Sequence, residues 1–391
     1  MKPRKVMAFA IATTLLVMLA SANRGFAAAS NVMNANIYSG PYGQAFNEPF
    51  GAIRICVPGS TTQCQTVSGL LIDTGSFGLR IFSQALTVHL PPETSGPDRV
   101  GECAFFGSFT AWGRLATADV TLANEPKIQN LPVQVLNPNF PAAGGRPLDC
   151  NQANAVVAQS PQQMGFNGIL GVGLLRYDGT YTNYYGCGTA SCDPSEITQP
   201  LDLQVQNPVS LLPVDNNGVM LNFPLPPVNG APALTGQLVF GVNTESNNQI
   251  PAGFEIYTTD AALNFTTTVQ GQDYTESFID SGSSGYYYTN PNLKVCPGYF
   301  HPGYCPPALT NQQATNTGSN DVSDQVNFAI ANTYGLFQSY NYVFSDLGAN
   351  LGSTTMFDWG LPFFLGRKVF VGIDGNTISG VNAPLWAYKA N

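Results

Sequence analysis

The sequence predicts an all-β protein with a few short helices. Short runs rich in β-branched and aromatic residues alternate with turn clusters roughly every ten residues. Glycine (40) and proline (29) are abundant among 391 residues, and only 10% of the chain is charged. Long amphipathic helical runs, which a parallel α/β sheet needs between its strands, are scarce. With 44% apolar residues the chain can fill a large core, and its length allows two lobes. In chain order, GAIRICV (51–57), CQTVSGLLID (64–73), GRLATADVTLA (113–123), LPVQVLN (131–137), GVMLNFPL (218–225), GQLVFGV (236–242), KVFVGID (368–374) and NTISGV (376–381) read as strands. The best helix candidate is SDQVNFAIANTYGLFQSY (323–340).

Residues 1–29 read as an export signal. Lys2, Arg4 and Lys5 precede the apolar run VMAFAIATTLLVMLASA, and the small residues of GFAAAS follow. The run is short for a bilayer span, and no other stretch is long and apolar enough to cross a membrane. Removing the signal takes four cations, Arg24 included, from a chain already at −9. So acidic a protein excludes nucleic acid, which needs a basic patch. It suits work in acid, where protonated carboxylates lower the self-repulsion. A monomer in the periplasm or the outside medium, with no stable membrane span, is the expectation.

Eight cysteines in an exported chain read as a disulfide set. Sequence leaves the connectivity open; favouring short loops pairs Cys56 with Cys64, Cys187 with Cys192 and Cys296 with Cys305, which leaves Cys103 for Cys150. No CxxC occurs, and the only histidines are His89 and His301. No metal site and no cofactor are therefore expected, and most Ser-His-Asp or Cys-His schemes fall away.

One sentence of the sequence is written twice. LLIDTGSFGLRIF carries Asp73, and SFIDSGSSGYYYT, 207 residues later, carries Asp280. Each copy runs an apolar strand into Asp-Ser/Thr-Gly-Ser, where glycine permits a tight turn and close approach. By average residue usage one such tetrapeptide arises in about one chain in fifty of this length, and two arise far more rarely. Each copy can sit in its own lobe, with residues 30–248 forming the first, 249–391 the second, and TGQLVFGVNTESNNQIPAG (235–253) crossing between them. Face to face, the two carboxyl groups cannot both ionise comfortably, so they share a proton. A water between them can lose a proton to one as it attacks a carbonyl, while the other donates to the carbonyl oxygen. Thr74 and Ser281 could lock the turns together, and Ser76 and Ser283 could hold the outer carboxylate oxygens.

In these turns the sequence resembles the pepsin-like aspartic peptidases, and the order of motifs extends the resemblance over most of the exported chain. CAFFGSFTAWGRLATADVTLAN (103–124) is similar to the flap hairpin and the strand after it, and GFNGILGVG (165–173) to the segment that threads under the first aspartate. TGQLVFGVN (235–243) is similar to the strand closing the first lobe, and DWGLPFFLGRKVFVGIDGNTISGV (358–381) to the closing segment. The resemblance implies a bilobal pepsin-like fold and an endopeptidase acting on extended polypeptide, most active in acid and sensitive to statine-type inhibitors. It implies Asp73 and Asp280 as the catalytic dyad, supported by Thr74, Gly75, Ser76, Ser281, Gly282 and Ser283. Phe105 and Phe106 fall where the family commonly has a flap tyrosine, and Trp112 is a candidate to supply the missing donor, core packing being its alternative. Arg80 stands where the family usually has a flap-supporting tryptophan, and WGLPFF replaces the usual apolar-apolar-Gly-Asp.

Two other readings remain open on the same residues. The altered flap suits a catalytically silent peptide- or protein-binding module on the same fold. Paired acids also serve glycosidases, though that chemistry leaves the Ser/Thr-Gly after each acid unexplained.

Overall fold

A computed structural model describes residues 30–150, 155–179 and 181–390; the expected signal, 1–29, lies outside them. The described chain is all-β. Its strands form one sheet of 17, one of seven and a two-stranded hairpin, with two short α-helices at Pro161–Met164 and Thr333–Phe337. The runs read as strands from the sequence all carry strand, NTISGV becoming the hairpin of Thr377–Ile378 with Val381–Asn382.

The two aspartate turns are built on one plan. Strand Cys64–Asp73 ends at the first turn, and Phe77–Phe82 leaves it. Strand Gly168–Val172 lies between them, parallel to the first with Ile169 opposite Leu71, and antiparallel to the second. In the smaller sheet, Gln272–Ile279 leads to the second turn and Tyr286–Tyr287 leaves it. Met356–Trp359 takes the intervening place, parallel to the first with Asp358 opposite Phe278, and antiparallel to the second. Each aspartate thus sits at the end of a strand held on a flank by a third, which leaves its backbone little freedom.

Alternation along these strands separates core from cleft. Leu70, Ile72, Leu79, Ile81, Leu170 and Val172 are fully buried beneath the first turn. Under the second the filling is aromatic: the Phe357 and Trp359 rings lie 4.3 Å apart and Tyr288 and Phe357 4.5 Å apart. The Trp359 indole donates to Thr267 Oγ1 at 3.0 Å, so the largest ring is buried without an orphaned N–H.

One feature differs from the simplest reading of the sequence. Residues 323–340 are not one helix: Ser323–Ile330 is a strand paired with Thr310–Thr317, and only Thr333–Phe337 is helical. Val326, Phe328 and Ile330 are buried at every second position, a strand period, and the Asn332 side chain caps the helix by accepting from the Gly335 N–H. Strands from both sides of residue 248 share the large sheet. Glu255–Thr258, Lys368–Gly372 and Leu385–Tyr388 join it through Gly218–Asn222.

The four disulfides are Cys56–Cys64, Cys103–Cys150, Cys187–Cys192 and Cys296–Cys305, the pairing expected from short loops. Cys103–Cys150 closes the longest loop, 47 residues, and on chain entropy contributes about 4 kcal/mol. Among the described residues no helix is long and apolar enough to cross a membrane.

Candidate active site

The two turns meet. Thr74 N–H donates to Ser281 Oγ at 3.1 Å, and Ser281 N–H to Thr74 Oγ1 at 2.9 Å. Each hydroxyl then donates across to the opposite strand, Thr74 to Ile279 O (3.1 Å) and Ser281 to Ile72 O (2.8 Å). Thr74 is 2% exposed and Ser281 fully buried, so these four bonds form away from water, where leaving one unmade is costly. The crossed set fixes one turn against the other.

Within each turn the carboxylate is held in the same way. Asp73 Oδ1 accepts from Gly75 N–H at 2.8 Å and Oδ2 from Ser76 Oγ at 2.5 Å. Asp280 Oδ1 accepts from Gly282 N–H at 2.7 Å and Oδ2 from Ser283 Oγ at 2.9 Å. The Asp280 carboxyl neighbours that of Asp73 closely enough for the two to interact electrostatically. The glycines let the acids approach: a Cβ on Gly75 would lie 2.6 Å from Asp280 Cγ, and one on Gly282 would lie 2.7 Å from Asp73 Oδ1. Loss of water raises the Asp280 pKa well above the carboxylate range, and the neighbouring Asp73 and Asp358 raise it further.

The pair forms the floor of a cleft of about 720 Å³. Over it hangs the hairpin of Asp98–Phe105 and Phe109–Leu122, whose tip brings Phe105, Phe106 and Ser108 to the cleft. Phe106 and Phe109 stack at 4.4 Å, stiffening the tip. Trp112 does not reach the cleft. It is fully buried, packs between Phe140 and Tyr185, and donates its indole N–H to Phe140 O at 2.7 Å. Phe109 and Ala111 take the cleft-side face of that strand, and Trp112 falls on the other by alternation. Of its two roles considered from sequence, core packing is the one it fills.

Arg80, in the strand that leaves the first turn, is buried. It is 2% exposed and donates from Nη2 to Glu102 Oε1 (2.7 Å) and Asp178 Oδ2 (2.5 Å), and from Nη1 to Phe77 O. Tyr184 OH completes the cluster by donating to Asp178 Oδ1 at 2.7 Å. The guanidinium lies 5.8 Å from the Phe106 ring centroid. One side chain therefore ties the strand leaving Asp73 to the hairpin that covers it.

Other residues enter the cleft that the sequence did not single out. Asp358 and Glu48 line it on the Asp280 side, with Tyr287 beside them. Burial pushes Asp358 up to about 8 and Glu48 up to about 7. Tyr181 lines the opposite wall against Phe77, at 5.9 Å between rings. The one signal for Asp358 was an acid inside an otherwise apolar run, FDWGLPFF. A second concavity, about 830 Å³, lies against Asn34, Asn36, Ser68 and Gln237 and holds no carboxylate. His89 and His301 are exposed and line neither. Among the described residues no three His, Cys, Asp or Glu side chains are grouped to hold a metal ion.

The raised carboxyls set the direction of pH-dependent stability. Asp280, Asp358, Glu48 and Glu93, the last pushed up to about 7 chiefly by burial, bind protons more tightly folded than unfolded. The contribution of Asp358, Glu48 and Glu93 is complete below about pH 4 and is withdrawn as pH rises through 7 to 8. The melting temperature is expected to fall between pH 4 and pH 8 by roughly 5 °C, read by calorimetry. A rise over that interval would contradict the burial of these groups.

Fold and site together define an all-β protein whose two like-built turns bring a pair of aspartates together under a hairpin. Residues 27–388 match the family described as a protein of unknown function, DUF3443, and the chain belongs to that family. Comparison with curated proteins finds none that matches.

Proposed function

We propose that the protein is an exported aspartic endopeptidase, working in the periplasm or the outside medium as a monomer on extended polypeptide. The observation that carries the reading is the closely placed Asp73–Asp280 pair on a cleft floor, its two turns locked by the crossed Thr74 and Ser281 bonds. Four disulfides suit an oxidising compartment outside the cytoplasm. A water held by the two carboxyl groups attacks the peptide carbonyl carbon and gives its proton to the ionised member. The protonated member gives its proton to the carbonyl oxygen, forming a gem-diol. The C–N bond then breaks as the amine takes a proton from the dyad and the diol returns one. Hydrolysis of unfolded protein at acid pH, blocked by a statine-type inhibitor and absent in Asp73→Ala, tests the reading. Inhibitor-insensitive cleavage that survives that substitution would reject it.

The close approach at the glycines gives a second test. Gly75→Ala is expected to keep its far-ultraviolet circular dichroism but lose about 100-fold or more in kcat, because the new methyl group must displace Asp280. Full activity in that variant would mean the two acids do not act together.

A silent peptide-binding module is the second reading. The flap tip favours it, since the large side chains there, Phe105 and Phe106, carry no hydroxyl and leave Ser108 to offer one. Under this reading the wild-type protein binds unfolded chains and cleaves none.

A further inference from the structure

The two halves of the cleft floor share one plan and differ at one matched position. Register places Ile169 beside Leu71 in the first half and Asp358 beside Phe278 in the second. Both line the cleft, one on each side of the dyad. Where the first half offers an isobutyl-sized apolar wall, the second offers a carboxyl group.

Asp358 is placed there by alternation. Phe357 and Trp359 point into the aromatic core, so Met356 and Asp358 face the cleft. The side chain is only 7% exposed, and its Oδ1 has no hydrogen-bond partner. A buried carboxyl oxygen left unpaired is costly, and a structure that keeps one in the lining of a cleft leaves a place for a donor. No protein cation supplies it. Arg80 is the only basic residue lining the cleft among the described residues, and Glu102 and Asp178 already engage it. Glu48 lines the same side and also keeps a buried oxygen, Oε2, unpartnered.

We propose that Asp358 forms a cation-accepting subsite, which takes a lysine or arginine of the substrate on one side of the scissile bond while the Ile169 side takes an apolar residue. The inference rests on the peptidase reading of the same cleft. A lysine suits the position because its aliphatic stem can pass over Phe278 and Met356 while its ammonium reaches the carboxyl. Burial favours the protonated carboxyl, but its unpartnered Oδ1 can still accept from the ammonium. The incoming charge favours ionisation, so that the charge-assisted bond forms largely out of water.

The experiment compares peptides differing at one residue next to the cleaved bond, lysine against norleucine, which keeps the stem and removes the charge. Cleavage is mapped by mass spectrometry, and binding of the same peptides to the Asp73→Asn protein is followed by fluorescence anisotropy. The wild type is expected to favour lysine in kcat/KM by on the order of 10–100-fold. In Asp358→Asn that ratio is expected to collapse to about one, and in Asp358→Ile, which copies the Ile169 side, to invert in favour of norleucine. A wild-type ratio near one, or a lysine preference that persists in both variants, overturns the subsite while leaving the peptidase intact. Lysine-selective binding without cleavage, lost in Asp358→Asn, rejects the peptidase and keeps the subsite. Binding and cleavage of neither peptide overturn both.

Discussion

Asp280→Asn is expected to lower kcat/KM for peptide hydrolysis by a factor on the order of 10⁴ while leaving the fold in place. Asparagine keeps the shape of the side chain, and its carbonyl oxygen can still accept from Gly282 N–H at the 2.7 Å position. What it cannot do is exchange a proton with the water or the substrate carbonyl. Asp280 is the group whose pKa loss of water, Asp73 and Asp358 together raise, so on the proposed mechanism its removal deletes the donor of the first chemical step. Asp73→Asn is expected to match it, and the double substitution to be no worse than either single one, because members of one proton-sharing unit are not additive. Thermal unfolding supplies the control: replacing a buried acid by an amide leaves the melting temperature unchanged or raises it. Should Asp280→Asn retain a tenth of wild-type activity, acid–base catalysis by the pair would be excluded.

The repeated turn was legible in the sequence because its parts are local. Strand, aspartate, hydroxyl, glycine and serine lie within a dozen residues, and the physical demands of a tight turn select those types. The cysteine pairs were legible for a related reason, three of them closing short loops. Asp358 was not, since strand alternation gives which face a residue occupies but not what that face looks upon; only the pairing of Met356–Trp359 with Gln272–Ile279 brings it to the dyad. Trp112 is a case of the same limit: its hairpin was found, but its side of the hairpin was not. Residues 323–340 failed for another reason. Val326, Phe328 and Ile330 followed by Thr333, Leu336 and Phe337 satisfy a strand period and then a helical one, and the join at Asn332 is visible only through its cap.

Arg80 shows how far a single residue's meaning can depend on partners distant in sequence, and its removal carries the second large effect. Arg80→Met is expected to destabilise the protein by about 3–5 kcal/mol, read as a lower urea midpoint with unchanged slope. Methionine replaces the stem but leaves Glu102, fully buried, and Asp178, 1% exposed, without their shared cation. The cost comes from those stranded carboxyls and not from lost packing, so Arg80→Met with Glu102→Gln should recover part of it. Arg80→Lys should not rescue fully, because one ammonium cannot span Phe77 O, Glu102 and Asp178 as the planar fork does. The loss should also reach the cleft. Glu102 lies on the first strand of the covering hairpin and the guanidinium sits near the Phe106 ring, so the tip loses its tie to the strand that follows Asp73. Activity should therefore fall in Arg80→Met even under conditions where the protein remains folded, with KM rising more than kcat falls. A variant as stable as the wild type would show that the ion cluster is not what holds the hairpin over the dyad.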